Sequence, residues 1–344
     1  MTIHLKALDE QTIVITGASS GIGLATARAA AKAGARVMLA ARDGDALARI
    51  CREIAAEGGT ADHLVTDVGD EQQVEDLARQ TIDRFGGFDT WVNNAGVGLI
   101  STVEKMSSED HQALFRTNYF GLAYGSIAAV NHFRERGTAG ALINVGSVVG
   151  DMPMPLSVAY SATKHAVKGF TDGLRIELMQ EQLPISVTLI KPSSIDTRFF
   201  DHAKSEMGGL GKAPGPQYAP EVVAEAILYA AQYPKRHFPV GSTAVVGPAA
   251  ERLAPGFVDR RQASLRIEDL VDFGHQPTAQ SLREVPDEGE ERSRFGHGRR
   301  YSLSTSAQTH PGISVGVIGL GLVLAGFLAT RWMDQPHRHA TTRH

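Results

Sequence analysis

The sequence predicts an α/β fold: a doubly wound parallel sheet of about seven strands with helices on both faces, plus one C-terminal hydrophobic helix. Three observations predict it. Short aliphatic and β-branched runs alternate with alanine-rich or charged amphipathic stretches, which is the rhythm of a parallel sheet covered on both sides. A glycine-rich turn follows the first of these runs directly. The chain has 344 residues and 42% hydrophobic content, enough to bury one large core and leave an appendage.

The strand-like runs are "TIVIT" at 12–16, "RVMLAA" at 36–41, "DHLVT" at 62–66, "TWVN" at 90–93, "ALINV" at 141–145 and "SVTLI" at 186–190, with "TAVVG" at 243–247 as a seventh. Helical stretches lie between them. "GLATARAAAKAG" is one, and "EQQVEDLARQTIDRFG" is another, with Val74, Leu77, Ile82 and Phe85 at near-helical spacing. In such sheets ligands bind beyond the carboxyl ends of the strands, so functional residues are sought there.

Charge and cysteine content narrow the class. A net charge of −4 argues against a nucleic-acid binder. The single cysteine, Cys51, excludes an internal disulfide and fits a reducing compartment. The opening "MTIHLKALDEQ" carries no apolar stretch of signal-peptide length, so the first domain is expected on the synthesising side of any membrane.

The first strand end reads "TGASSGIG". Gly17, Gly21 and Gly23 open a helix whose N-terminal N–H groups suit a pyrophosphate; the bland reading is an ordinary tight turn. Other motifs follow at later strand ends: "TDV" at 66–68, "NNAG" at 93–96, Ser147 in "NVGSVVG", and Tyr160 with Lys164 in "YSATK", preceded by Asn118. Singly, Ser147 reads as a helix cap, Tyr160 as an interface aromatic, Lys164 as a solvated charge and Asn118 as a helix kink. Jointly the chain resembles the short-chain dehydrogenase/reductase family, over residues 1–258.

The resemblance implies a Rossmann-type catalytic domain with Asn118, Ser147, Tyr160 and Lys164 as its catalytic set. It implies a dinucleotide held by Gly17, Ser19, Ser20, Gly21, Ile22 and Gly23 in the turn, Arg42, Asp67 and Val68, Asn94, Ala95 and Gly96, Tyr160 and Lys164, and Pro192, Ile195 and Thr197. It also implies a homodimer or homotetramer paired through the helix bearing Tyr160. The chemistry accounts for these residue types. Hydride addition to a carbonyl leaves an alkoxide that needs a proton, and a phenol can give one although its ordinary pKa is near 10. Lys164, one helical turn on, is expected to favour the phenolate. Ser147 is expected to hold the substrate oxygen, and Asn118, by resemblance, a water that relays protons to Lys164. No metal is suggested.

At the end of the second strand, Ala41 stands where an NAD-using relative carries an acid, and Arg42 follows. A guanidinium suits a 2′-phosphate, so NADP(H) is favoured over NAD(H). Asp43 either pairs with Arg42 or caps the next helix. Two positions depart from the family pattern: Ser20 replaces a second basic residue in the turn, and Ser193 in "KPSSIDT" replaces a glycine, which is expected to reshape that loop. Phe199, Phe200, Met207, Met152, Met154, Pro155 and Leu156 either line an apolar pocket for a lipophilic carbonyl or alcohol, or simply pack under a loop.

Residues 259–310 mix both signs of charge with Gly, Pro and Ser and read as a polar, flexible linker. Beyond it, "VGVIGLGLVLAG" looks like a second glycine fingerprint. It lacks the third glycine, however, and only eighteen residues follow Gly326, too few for a βαβ unit. Residues 313–330 are uncharged and end at Arg331 and Trp332, so 311–332 is expected to be a membrane helix, with a helix docked on protein as the other reading; 333–344 forms a short tail. The need for cellular NADPH places the enzyme domain on the cytoplasmic side. The alternative function is a non-catalytic NADP(H)-binding sensor or scaffold at a membrane.

Overall fold

The computed structural model describes residues 2–212, 215–286 and 289–310. Its sheet holds β1 (Thr12–Thr16), β2 (Arg36–Ala41), β3 (Thr60–Val65), β4 (Thr90–Asn93), β5 (Gly140–Val145), β6 (Ile185–Pro192) and β7 (His237–Val240). All pair in parallel, in the order β7-β6-β5-β4-β1-β2-β3. The direction of winding reverses between β1 and β4, where Ile13 pairs with Thr90 and Ile15 with Val92. That reversal opens a crevice at their carboxyl ends.

Alternation along β1 builds both layers. Ile13 and Ile15 face one side, against α1 (Gly21–Lys32), α2 (Gly44–Ala56) and α7 (Pro220–Ala230), through Leu24, Leu47, Ile50, Val223 and Ile227. Val14 faces the other, against α3 (Glu71–Phe85), α5 (Gly121–Arg136) and α6 (Val158–Gln180), through Val74, Leu77, Phe133 and Leu178 around Trp91. The helix bounds follow from their caps. Asp43 accepts from the Ala46 N–H to start α2, Asp70 accepts from the Gln73 N–H to start α3, and Gly86 ends α3 in the left-handed region. Ile82 of α3 lies at the surface instead of in the core.

Two expectations are corrected. "TAVVG" is not a strand: it opens α8 (Thr243–Leu253), with Val245 and Val246 exposed. Aliphatic content in so short a run cannot separate a strand from a helical turn. The seventh strand is "HFPV", whose Pro239 is tolerated because β7 lies at the sheet edge. The described part of 259–310 is also not a bare tether. The expected boundary at 258 falls inside α9 (Pro255–Ala263), and beyond it Leu270, Val271, Leu282, Ser302, Thr305 and Ser306 are buried against the domain. This polar segment docks by hydrogen bonds, such as Gln308 Nε2 to the Pro239 carbonyl at 3.0 Å, so a low apolar content did not leave it free. The expected membrane helix at 311–332 and the tail at 333–344 lie outside the described residues. Among the described residues no helix is long and apolar enough to cross a membrane.

Candidate active site

The crevice is braced from beneath. Asn94, just after β4, donates from its backbone N–H to Thr16 Oγ1 (3.0 Å) and from Nδ2 to the carbonyls of Thr16 (2.9 Å) and Gly17 (3.1 Å). This fixes the glycine turn, where Gly17 sits at φ +66°. A Cβ on Gly23 would stand 2.0 Å from the Gly17 carbonyl oxygen, so only glycine lets α1 begin this close to β1. Such a turn, leading into the N–H groups of a helix N-terminus, fits a dinucleotide pyrophosphate.

Around it the crevice is lined by Gly17, Ser19, Ser20, Gly21, Ile22, Arg42, Asp67, Val68, Asn94, Ala95, Gly96 and Thr197, all singled out from the sequence. Gly23 lies behind this wall. Asp43 lines the crevice as well and caps α2 by accepting from the Ala46 N–H. Asp67 pairs with Arg116 at 3.2 Å. Ser193, in the glycine's place, is accommodated by Gly241 at φ +89°, where a Cβ would stand 2.1 Å from Ser193 Oγ. The departure in one loop is thus matched by a glycine in another.

A second cavity of about 540 Å³ adjoins the first and shares Ile22, Asn94, Gly96, Thr197 and Phe199 with it. Ser147, Tyr160, Lys164, Pro192 and Ile195 line this second space, with Met152, Met154 and Phe200. Met207 and Leu156 instead pack in an apolar cluster beside Ile100 and Val271. Phe257, Val258 and Leu265 close the far wall. They lie beyond the family motifs, and nothing local in the sequence marks them.

The reacting groups meet at the junction. Ser147 caps a short 3-10 turn after β5, accepting from the Val149 N–H, and lines the same wall as Tyr160. Burial pushes the Tyr160 phenol above its ordinary value, and the neighbouring Ser147 hydroxyl offsets this only in part. Lys164, one turn along α6, donates to the Val145 carbonyl at 3.0 Å and lies 5.7 Å from the centre of the Tyr160 ring. Burial lowers it to about 8. The expectation that Lys164 depresses the phenol therefore does not describe this balance: the ammonium is directed at a carbonyl, and desolvation dominates both groups. Asn118 sits in a π-helical turn (Arg116–Phe120) between α4 (Ser108–Phe115) and α5, a distortion frequent at functional sites. It accepts from the Val97 N–H (2.8 Å) and donates to the Val97 carbonyl (3.0 Å) and Thr163 Oγ1 (3.2 Å). Buried behind Gly96, it opens onto neither cavity.

Sequence reasoning missed the ionic pin of the Ser147 loop. Asp151 pairs with Lys168 of α6 and with Lys191 of β6 at 2.8 Å, partners too distant in sequence to be read as a motif.

Comparison with known proteins agrees with this geometry. The chain is 46% identical over 262 residues to the uncharacterized oxidoreductase YxnA of Bacillus subtilis, covering 75% of this chain and 73% of that one. It is similar to a Burkholderia phymatum short-chain dehydrogenase/reductase in complex with NAD (TM-score 0.64, 26% identity, 80% of this chain and 98% of the other). It is also similar to an alcohol dehydrogenase from Thermococcus sibiricus complexed with 5-hydroxy-NADP (TM-score 0.58, 28% identity, 67% and 94%). The model of the short chain dehydrogenase family matches residues 11–208, from the first strand through the loop beyond Thr197, and the chain is an oxidoreductase belonging to that family.

Proposed function

We propose that the chain interconverts a lipophilic carbonyl and its alcohol using NADP(H), with Tyr160 exchanging the proton at the substrate oxygen. The observation that carries this reading is that Ser147, Tyr160 and Lys164 line one wall at the junction of a glycine-turn crevice and an apolar cavity of about 540 Å³. When bound, the nicotinamide supplies or accepts the hydride. Tyr160, kept protonated at neutral pH by burial, gives its proton to the oxygen as charge develops there. Ser147 holds that oxygen within reach, and Lys164 supplies positive charge one helical turn away. A phenol raised by burial favours reduction at neutral pH, and oxidation strengthens as the pH rises.

NADP(H) is favoured because Arg42 lines the crevice at the end of β2, where a guanidinium suits a 2′-phosphate; Asp43 beside it caps α2. Met152, Met154, Phe199 and Phe200 support a lipophilic substrate. Residues 311–332 are proposed as a membrane anchor holding this domain at the cytoplasmic face, which fractionation of cells expressing the full chain would test.

The test of the activity is a panel of aldehydes and ketones graded in size and polarity, followed by oxidation of NADPH and NADH. NADPH oxidation with the larger apolar carbonyls is expected, and Tyr160→Phe should lower it by about 10²–10⁴-fold. Turnover confined to small polar carbonyls would remove the substrate class, and full activity in the phenylalanine variant would remove the mechanism.

A further inference from the structure

The crevice that fits a dinucleotide is crossed by the chain's own C-terminal segment. Before the crossing, Thr278 donates to the Asp201 carbonyl (2.9 Å), and Leu282 is buried with Val97, Leu99, Leu114 and Ala159. Ser281, Val285 and Pro286 then line the crevice. After it, Glu291 pairs with Arg28 (2.6 Å), Ser293 Oγ donates to Asp196 (2.5 Å), the Gly298 N–H donates to the same carboxylate (2.9 Å), and the Arg299 carbonyl accepts from Ala219 (2.9 Å). The strap is thus pinned on both banks.

What it touches between those pins is informative. The Gly21 N–H, first of the free donors of α1, donates to the Glu290 carbonyl at 3.0 Å. The Arg42 guanidinium donates to the Ser281 carbonyl at 2.7 Å. These are the two groups that a pyrophosphate and a 2′-phosphate would need, and each already serves a strap oxygen. The space left in the crevice is about 180 Å³. Pockets for ligands smaller than a dinucleotide begin at roughly 300 Å³.

We propose that residues 281–286 and 289–299 form an autoinhibitory strap that competes with the nicotinamide dinucleotide for Gly21 and Arg42, so that cofactor binds only when the strap lifts. The inference rests on the cofactor reading above. If the closed form outweighs the open one by about ten to one, apparent affinity is about tenfold below that of the open crevice.

The test uses the full chain and a Glu291→Arg/Ser293→Ala double variant, which sets like charges against Arg28 and removes the bond to Asp196. NADPH binding is followed by stopped-flow fluorescence, and hydrogen exchange is followed in peptides covering 289–299. The variant should bind NADPH about tenfold more tightly and faster, and in the unaltered chain NADPH should strip protection from 289–299. Should the variant fold poorly, exchange in the unaltered chain decides alone. Unchanged binding in a folded variant, or a gain of protection at 289–299 as expected of a clamp closing over its ligand, would overturn the strap. Absence of any NADPH or NADH binding to either chain would overturn the cofactor reading along with it, whereas the other two results leave that reading standing.

Discussion

Lys164→Met separates the stability of the site from its chemistry. Lys164 is 4% exposed, and burial lowers it from 10.5 to about 8. At about 1.4 kcal/mol per pH unit, that fall means the folded state carries the ammonium at a cost of roughly 3 kcal/mol. Methionine keeps the length and apolar stem but gives up the bond to the Val145 carbonyl, worth about 1 kcal/mol. The net gain is roughly 2 kcal/mol, or about 4–8 °C in Tm for a domain of this size. The sign with pH follows from linkage. The folded value lies below the unfolded one, so between pH 8 and 10.5 the unfolded chain holds more protons and the stability of the unaltered protein rises with pH. The advantage of the variant is therefore full below pH 8 and falls under about 1 kcal/mol by pH 9.5. Calorimetry at pH 7 and 9.5, beside turnover at pH 7, measures both halves: the variant should be more stable and nearly inactive. A variant less stable than the parent by the same amount at both pH values would show that the buried ammonium is compensated, and the reasoning would be wrong.

Other outcomes follow from single contacts. Gly23→Ala drives a methyl to 2.0 Å from the Gly17 carbonyl oxygen and should cost about 1–3 kcal/mol in urea titration and abolish dinucleotide binding. Arg42→Ala should weaken NADPH relative to NADH by about tenfold in equilibrium titration; an equal change for both would detach Arg42 from the 2′-phosphate. Asp89 is buried, which raises its pKa, yet Lys6, the Thr12 N–H and Arg136 together hold it below the ordinary carboxylate range. Its contribution is present above about pH 4 and is lost as pH falls through the lowered folded value, so acid unfolding should set in there. Asp89→Asn, which leaves Arg136 half-paired, should cost about 3 kcal/mol at pH 7 and flatten that acid limb.

The signals legible in the sequence were local. β1, β2 and β4 begin and end where their aliphatic runs do, because each is buried on both faces and turn residues bound it. The residues named for the crevice gather there because each follows a strand end, and parallel topology sends every strand end to one rim. Contacts between distant segments left no such trace. The Asn94–Thr16 brace, the fit of Ser193 against Gly241, and Asp151 between Lys168 and Lys191 each join residues that no period or spacing relates. Electrostatic sign was also hidden. One helical turn from Tyr160 to Lys164 suggests attraction, but which group wins depends on burial and on where the ammonium points, and neither is written in "YSATK".

Residues 259–310 show why hydropathy misjudged an entire segment. A polar, charged stretch rich in Gly and Pro cannot build a core of its own, and from that the expectation of a free linker follows. The inference fails where the domain offers polar partners in need of satisfaction. The α1 N-terminus has orphan donors, Asp196 has two oxygens to fill, and Arg42 has a fork of N–H groups. The strap supplies Glu290 O, Ser293 Oγ with the Gly298 N–H, and Ser281 O to those three. Donors that suit the phosphates of a dinucleotide suit the carbonyls of a peptide as well. Glycine is again the enabling residue, since a Cβ on Gly298 would stand 2.7 Å from Asp196 Cβ. Gly298→Ala should therefore loosen the far bank without touching the crevice, raising exchange at 289–299 while the intrinsic protection of the buried β1 amides stays as it was.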